Sequence, residues 1–306
     1  MTKLSVVIPV LDESLLIKEL IARVVENIER ITQNYEIVIV DDGSKDSTWE
    51  KIESEAKKEK RIKGIKLSRN FGHHYAISAG LHRAVGEWVV VMDGDLQDRP
   101  EVIPQLYSKA QEGFDIVFVS RQNRPETFYY KVVQKLFYWL LKILSGIDLD
   151  SRQANFSIIN YKVVNAFRSF PEYARFYGST IKWLGFERTQ IFADHGKRFS
   201  GETSYTLRKR IKLALDIIIA FSDRPLKFAI GFGILISTIS ILLALWIAFN
   251  SIYFGYAVTG WASIICISLF STGVLLILCG IFGIYLGRIF DQVKQRPLYI
   301  ISREIN

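Results

Sequence analysis

Residues 87–98 read EWVVVMDGDLQD, a short apolar run that is followed directly by acidic residues. The apolar run is too short for a typical helix, and it predicts a β-strand that is buried on both faces. Asp93 and Asp95 stand one residue apart at the end of this strand, where both carboxylates can reach one hard cation. Such a cation can bridge the phosphate oxygens of a nucleotide. Taken alone, the same residues are also compatible with a solvated acidic turn.

Four further apolar runs surround this strand and alternate with amphipathic stretches. Strands are predicted at residues 4–10, 36–40, 62–67 and 115–120, and helices at residues 14–31, 47–58, 75–84 and 100–111. Alternation of this kind predicts an α/β fold with a mostly parallel, Rossmann-like sheet and right-handed crossovers. Ligands of such sheets bind in the crevice at the carboxyl ends of the strands.

Two more polar clusters follow predicted strands and should face the same crevice. They are PVLDE at Pro9–Glu13 and DDGSKD at Asp41–Asp46. The second cluster has two interpretations, since Asp41 and its neighbours can hydrogen-bond a base and ribose or can form a turn that caps the next helix. Three clusters at one edge of the sheet favour a ligand site over a solvated turn.

The C-terminal part of the chain is strongly apolar. No residue from Phe228 to Gly287 is charged, and this length predicts two transmembrane helices near 226–250 and 261–287. Lys and Arg residues precede the first span and follow the second, whereas the short connector contains neither. The positive-inside rule therefore predicts that both ends are cytoplasmic. The opening residues read as a strand and not as a cleavable signal, which favours a cytoplasmic N-terminal domain.

The net charge of +8 arises from basic residues that collect in the second half, next to the apolar segments. This placement favours an anionic membrane surface over nucleic acid as the partner. Basic amphipathic segments near 129–145 and 207–222 predict helices that lie in the membrane interface, although a helix packed on the domain core is the alternative for the first. The predicted domains are residues 1–125, 126–224 and 225–306, the last being a membrane domain with a cytoplasmic tail.

Five segments together resemble the inverting family 2 glycosyltransferases of the GT-A fold. They are PVLDE, DDGSKDST at 41–48, SRNFGHHYAISAG at 68–80, MDGDLQDRPE at 92–101 and SRQNR at 120–124. The form DGDLQDRPE with SRNFG upstream is similar to the polyprenyl-phosphate sugar transferases, a type that includes dolichyl-phosphate mannose synthase and undecaprenyl-phosphate glucosyltransferase. The resemblance extends over essentially the whole chain.

The resemblance implies a role for each matching residue. The nucleotide-sugar site comprises Pro9, Glu13, Asp41, Asp93, Gly94 and Arg198. The ligands of a Mg²⁺ or Mn²⁺ ion are Asp95 and Gln97, with Asp93 beside them. Asp95 and Arg121 are the catalytic residues, and Arg121 also contacts the acceptor phosphate. Because such families use oxygen ligands, His73, His74, His82 and His195 are predicted to be structural or surface residues.

Two departures from the family pattern bear on the general base and on the contacts of the closing loop, respectively. Asn155 stands where relatives often carry an aspartate that is assigned as a base, and Ser204 stands where relatives often carry a lysine. A phosphate monoester has a second pKa of about 6 and attacks without a base. It needs cations against the negative donor instead, which Arg121, Arg124 and Lys131 can supply. The alternative is that Asn155 is an ordinary polar residue and another carboxylate serves as base.

The resemblance implies transfer of a sugar from a UDP- or GDP-linked donor, with inversion, to undecaprenyl or dolichyl phosphate at the cytoplasmic face of the cell (inner) membrane. One alternative is a polysaccharide-type glycosyltransferase with a hydroxyl acceptor, although the Gln-x-x-Arg-Trp motif of those enzymes is absent from the sequence. Another is an inactive membrane scaffold of the same fold. The sequence leaves a homo-oligomer open and predicts no nucleic-acid partner.

Overall fold

A computed structural model describes residues 2–121, 153–170, 176–194, 222–254 and 260–306. The strands are β1 Leu4–Val10, β2 Tyr35–Asp41, β3 Ile62–Leu67, β4 Trp88–Val91, β5 Ile116–Arg121, β6 Gln153–Asn160, β7 Arg188–Ala193 and β8 Ile301–Ile305. The helices are α1 Ile17–Glu29, α2 Thr48–Lys58, α3 His73–Arg83, α4 Ile103–Ala110, α5 Tyr161–Arg168, α6 Tyr177–Trp183, α7 Arg224–Phe254 and α8 Trp261–Val293. A 3₁₀ turn, Pro100–Val102, precedes α4.

The eight strands form one mixed sheet in the order β7-β5-β6-β4-β1-β2-β3-β8. Strands β1 to β4 are mutually parallel, and β5 and β7 run in the same direction. Only β6 and β8 are antiparallel to their neighbours. The predicted α/β fold with a mostly parallel sheet is therefore confirmed, and all five predicted strands are present.

Helices cover both faces of the sheet, which explains why β1, β2 and β4 are buried along their whole length. Alternate side chains of β1 face opposite layers because the side-chain direction alternates along a strand. Val6 and Ile8 pack in the layer formed by α1, α2 and α4. Val7 packs in the layer formed by α3, α5 and α6. The result is a three-layer sandwich with a core on each side of the sheet.

The last strand of the chain completes the edge of this sheet beside β3. Ser68 N donates to Ile300 O over 2.8 Å, just past the end of β3. Arg83 in α3 pairs with Glu304 through two hydrogen bonds of 2.8 and 3.2 Å. The side chain of Asn306 donates to main-chain oxygens of Ala56 and Ile62. The sequence assigned these residues to a tail of the membrane domain, whereas the structure pairs them with the α/β sheet, because the partners of β8 are far away in sequence.

The chain divides into two compact units, of which the first contains all eight strands and the second contains α7 and α8. Each of these two helices includes a stretch that is long and apolar enough to cross a membrane, Arg224–Leu243 and Phe270–Val293, both with a mean hydropathy of 2.1. Large apolar side chains such as Leu245, Trp246 and Phe282 are more than 60% exposed. Exposure of this kind suits a lipid environment.

The predicted interfacial helices near 129–145 and 207–222 lie almost entirely outside the described residues.

Candidate active site

The crevice is formed where β1 lies between β2 and β4. From β1 the chain passes through α1 on one face to β2, and it reaches β4 through α3 on the opposite face. The connection that leads to β2 and the connection that leads to β4 therefore lie on opposite faces of the sheet. Doubly wound sheets bind their ligands at such a switch point, outside the carboxyl ends of the strands.

Hydrogen bonds from main-chain N–H groups to side-chain oxygens join the loop after β1 to the segment after β2. Asp12 N donates to Ser44 Oγ over 2.9 Å, and Lys45 N donates back to Asp12 Oδ1 over 2.8 Å. Glu13 N donates to Thr48 Oγ1 over 2.9 Å. Asp12 adopts a φ of 54°, a backbone conformation that aspartate tolerates better than most residues. The clusters PVLDE and DDGSKD are thus brought together as expected.

Two adjacent aspartates, Asp41 at the end of β2 and Asp42 directly after it, contact different parts of the crevice. Asp41 is fully buried; its Oδ1 accepts from Ser44 N, and its Oδ2 lies 3.9 Å from Lys66 Nζ. Asp42 accepts from the main-chain N–H groups of Phe71 and Gly72 over 2.8 and 3.0 Å. Burial raises the pKa of the Asp42 carboxyl, although these two hydrogen bonds oppose the shift.

The segment SRNFG packs tightly against the turn after β2. Gly43 has a φ of 76°, and a Cβ atom there would lie 2.4 Å from the main-chain carbon of Arg69. Only glycine fits this position without displacing the backbone of the neighbouring loop. Gly43 and the Asp42 carboxylate therefore fix residues 69–72 at the edge of the crevice.

The acidic segment after β4 alternates between exposed and buried residues. Asp93, Asp95 and Gln97 are partly exposed, whereas Gly94, Leu96 and Asp98 are buried. The Asp98 carboxylate accepts from Asp93 N over 3.1 Å and closes the turn. A Cβ atom on Gly94 would lie 2.5 Å from Val10 Cγ1 and 3.1 Å from Pro9 O. The close packing of Gly94 therefore places the acidic turn directly against the end of β1.

The donor set of this turn fits a hard cation. Gln97 contacts Asp95 through both its main-chain N and its side-chain Nε2, over 3.0 and 2.7 Å. These two side chains and Asp93 offer only oxygen ligands, which Mg²⁺ and Mn²⁺ prefer. Among the described residues, no three histidine, cysteine or carboxylate side chains converge in a group that could hold a metal ion.

His73 lies inside the crevice, although the sequence placed it among structural or surface residues. Its Nε2 atom is 3.2 Å from Asp93 Oδ1 and 3.1 Å from Asn155 Nδ2. Burial opposes protonation of His73, but the carboxylates of Asp93, Asp42 and Asp98 together outweigh burial and raise the pKa of the ring. Burial lowers the pKa of the neighbouring His74 to about 3, so that ring is neutral. The contacts of His73 join α3, β4 and β6, which no local sequence pattern could indicate.

Asn155 faces the acidic turn because of the register of β6. Val91 in β4 is opposite Ser157 in the antiparallel β6, so Asn155 is level with Asp93. Ser157 Oγ contacts both Asn155 O and Tyr177 OH, at 2.8 and 2.7 Å. The start of β6 is therefore held against α6 at this edge of the crevice.

The remaining predicted site residues are only partly described. Glu13 is partly exposed in the loop after β1. Arg121 ends β5, which runs in the same direction as β4, so its main chain lies at the same edge of the sheet. Arg124, Lys131 and Arg198 lie outside the described residues.

Similar folds occur in solved glycosyltransferases. A glucosyl-3-phosphoglycerate synthase from Mycobacterium tuberculosis, solved with Mn²⁺, UDP and phosphoglyceric acid, has a TM-score of 0.52 and 19% identity over 72% of this chain and 77% of that chain. The mannosyltransferase PcManGT from Pyrobaculum calidifontis, solved with GDP-Man and Mn²⁺, has a TM-score of 0.51 and 18% identity over 71% of this chain and 63% of that chain. These similarities show that the chain has a GT-A-like fold.

Sequence relatives span nearly the whole chain. The glycosyltransferase YkcC of Bacillus subtilis is 38% identical over 98% of this chain and 93% of its own length. The SfII prophage-derived bactoprenol glucosyl transferase of Shigella flexneri is 34% identical over 98% of both chains. The undecaprenyl-phosphate 4-deoxy-4-formamido-L-arabinose transferase of Enterobacter sp. strain 638 is 31% identical over 99% of this chain and 94% of its own length.

The sequence profile described as glycosyl transferase family 2 matches residues 5–170. This chain belongs to glycosyl transferase family 2.

Proposed function

We propose that this enzyme transfers a sugar from a UDP- or GDP-linked donor to a polyprenyl phosphate at the cytoplasmic face of the cell membrane. The observation that carries the proposal is the acidic turn Asp93–Asp98, which is packed through Gly94 against the end of β1 at the switch point of a GT-A sheet. Relatives named for bactoprenol and undecaprenyl-phosphate sugar transfer align over almost the full chain, including the two apolar helices.

The donor nucleotide occupies the crevice between the loops after β1 and β2. Asp41 is the residue best placed to bind the nucleoside, because its Oδ2 atom is buried and accepts no hydrogen bond from the residues that the structure describes. A buried carboxylate oxygen of this kind costs free energy unless a ligand supplies a donor, such as a ribose hydroxyl or a base N–H group. Pro9 and Glu13 line the same crevice, and Arg198 contacts the donor diphosphate.

The diphosphate lies over the partly exposed face of the acidic turn. Asp95 and Gln97, with Asp93 beside them, would hold a Mg²⁺ or Mn²⁺ ion, which would supply positive charge against the leaving nucleoside diphosphate. The buried residues of the same turn, Gly94, Leu96 and Asp98, keep these side chains in position. An inactive scaffold would have no need of such an ordered oxygen donor set.

The acceptor phosphate acts as the nucleophile. One of its oxygens attacks the anomeric carbon of the sugar, the bond from that carbon to the diphosphate breaks, and the nucleoside diphosphate leaves. A single displacement inverts the anomeric configuration. No side chain has to remove a proton, because a phosphate monoester is mostly dianionic at neutral pH, with a second pKa of about 6. The presence of Asn155 at a position where relatives often carry a carboxylate is consistent with this mechanism.

Cations must offset the repulsion between two anionic substrates. Arg121, with Arg124 and Lys131 after it, binds the acceptor phosphate. The position of Arg121 supports this assignment, since β5 ends at the same edge of the sheet as β4.

The two apolar helices anchor the enzyme with both termini in the cytoplasm. Support comes from β8, which follows both helices and pairs with β3 of the catalytic sheet. Residues before α7 and after α8 belong to the same folded sheet, so the chain must return to the side of the membrane from which it left. The excess of Lys and Arg at that side indicates the cytoplasm. We assign residues 1–125 to the nucleotide-sugar core, 126–224 to the acceptor side and 225–295 to the membrane segment, whereas residues 296–306, which include β8, belong to the unit that contains the sheet.

The purified protein in detergent or lipid should be incubated with undecaprenyl phosphate, Mg²⁺ or Mn²⁺, and a panel of labelled UDP- and GDP-sugars. We expect one donor to label the lipid and EDTA to abolish the labelling. Asp95→Asn should reduce turnover by at least about a hundredfold, because the diphosphate loses one charged metal ligand. Glu50→Gln, an exposed carboxylate on α2, provides the matched control and should retain full activity. Full activity in excess EDTA would refute the metal assignment.

A further inference from the structure

His73 lies at the crevice, but neither the sequence motifs nor the proposed mechanism assigns it a role. It opens α3, and its ring contacts two residues from other elements: Asp93 Oδ1 at 3.2 Å and Asn155 Nδ2 at 3.1 Å. Both contacts are made by the same ring nitrogen, Nε2. His73 therefore connects the first carboxylate of the acidic turn to β6.

The atoms around Nε2 determine whether this nitrogen donates or accepts a hydrogen bond. An ionised carboxylate oxygen can only accept a hydrogen bond, so a hydrogen on Nε2 makes the 3.2 Å contact with Asp93 favourable. The Asn155 side chain adapts to this arrangement, because an amide can present either its oxygen or its nitrogen to the ring. This reasoning holds for the neutral ring as well as for the charged one.

The main chain that carries His73 is fixed on its N-terminal side. Phe71 N and Gly72 N, two residues and one residue before the histidine, both donate to the buried Asp42 carboxylate. On the C-terminal side, Tyr75 N and Ala76 N donate to Gly72 O and begin α3. Hydrogen bonds therefore fix the backbone on both sides of His73, which suits a residue that orients another side chain.

We propose that His73 is a positioning residue for the metal and diphosphate site. It contacts one oxygen of Asp93 and so fixes the orientation of that carboxylate in the acidic turn, and Asn155 holds the imidazole ring in place. This inference rests on the metal site assigned under the proposed function. Residues that orient a metal-binding carboxylate typically change metal affinity by about ten- to a hundredfold when they are removed.

The test is direct binding of Mn²⁺ to the purified full-length protein, measured by electron paramagnetic resonance with UDP or GDP present. His73→Gln carries an amide N–H to about the distance of Nε2, whereas the shorter side chain of His73→Asn reaches only about as far as Nδ1. We expect His73→Asn to weaken Mn²⁺ binding by about tenfold or more, and His73→Gln to restore most of the affinity. The donor KM should follow the same order.

His82→Asn makes the same chemical change at the other end of α3 and should leave Mn²⁺ binding unchanged. The thermal unfolding midpoint of each variant shows whether it is folded. If His73→Asn fails to fold, Asn155→Ala tests the same contact, and we expect a loss of Mn²⁺ affinity of several-fold.

Asp95→Asn separates failure of this inference from failure of the proposed metal site. If Asp95→Asn loses Mn²⁺ binding while folded His73→Asn and Asn155→Ala bind like the wild type, His73 has no positioning role and the metal site stands. If Asp95→Asn binds Mn²⁺ like the wild type, the metal site and this inference both fall.

Discussion

Asp41 and Asp42 are adjacent and both buried, yet their carboxylates contact different parts of the protein. In the wild type, Phe71 N and Gly72 N each donate to one carboxylate oxygen of Asp42. In Asp42→Asn, one of these N–H groups would face an amide NH₂ group, which cannot accept a hydrogen bond. The loss of a buried acceptor costs about 1–3 kcal/mol. We expect Asp42→Asn to lower the thermal unfolding midpoint by several degrees, as measured by differential scanning fluorimetry.

The matched variant Asp41→Asn should act on binding instead of stability. Asparagine keeps the oxygen that accepts from Ser44 N, so the turn after β2 is retained. It removes the second carboxylate oxygen, which we assign to the nucleoside. We expect a donor KM that rises by about tenfold, which corresponds to one lost hydrogen bond to a charged group. Equal donor KM values in Asp41→Asn and the wild type would contradict this assignment.

Arg121→Ala should weaken use of the acceptor and leave donor binding almost unchanged. The lost contact to a phosphate dianion is worth roughly 1.5–3 kcal/mol, or about ten- to a hundredfold in kcat/KM for the acceptor. Arg121→Lys should recover only part of the loss, since lysine keeps the charge but not the planar two-pronged geometry. Steady-state kinetics with each substrate varied in turn provide the measurement. A change confined to the donor KM would place Arg121 at the donor diphosphate instead.

At the residue level, the acidic turn was predictable because its spacing and its place after a strand are local features. The same is true of PVLDE and DDGSKD, whose loops the structure joins through Asp12, Ser44 and Lys45. The site of His73 was not predictable. Its contacts with Asp93 and Asn155 depend on the register of β6 against β4, and that pairing links residues far apart in the chain.

At the level of elements, the pairing of β8 with β3 makes the sheet depend on the last residues of the described chain. Ending the chain at Pro297 removes β8, leaves the edge of β3 unpaired and removes the Ser68–Ile300 hydrogen bond beside the SRNFG loop. We expect a lower unfolding midpoint and a weaker donor affinity, while α7 and α8 still insert into membranes. Binding of a labelled nucleotide and membrane fractionation measure the two effects.

Arg83→Ala is the control for this truncation, since it removes only the ion pair between Arg83 and Glu304. Both side chains are more than a third exposed, and such pairs contribute about 0–1 kcal/mol. If the truncated chain were as stable as Arg83→Ala, the pairing of β8 with β3 would add no measurable stability, and the prediction would be wrong.

The first five strands were predictable because each is a short apolar run between helical segments, and β1 and β3 begin and end at the predicted residues. The edge strands β7 and β8 lack this signal. β7 is an edge strand with mostly exposed or partly exposed residues, and β8 contains the polar sequence Ser-Arg-Glu at its centre. Hydrophobic pattern identifies strands in the middle of a sheet better than strands at its edges, because edge strands need less burial.

At the level of the whole molecule, the sheet and the two apolar helices together predict the membrane topology. A reporter that is active only in the cytoplasm should be active when fused after Asn306. A reporter that is active only outside should be active when inserted between the two helices, at residues 255–260. Activity of the external reporter after Asn306 would contradict the proposed topology, and it would require β8 to leave the sheet.

The central claim is that the acceptor is a lipid phosphate and not a hydroxyl group. The most direct measurement compares undecaprenyl phosphate with undecaprenol, with the same enzyme, metal and labelled nucleotide sugar. The two lipids differ only in the phosphate, and the site offers no side chain that we assign as a base for a hydroxyl acceptor. We predict labelled lipid from undecaprenyl phosphate and none from undecaprenol. Transfer to undecaprenol at a comparable rate, or to a sugar acceptor but not to the phosphate, would contradict the account.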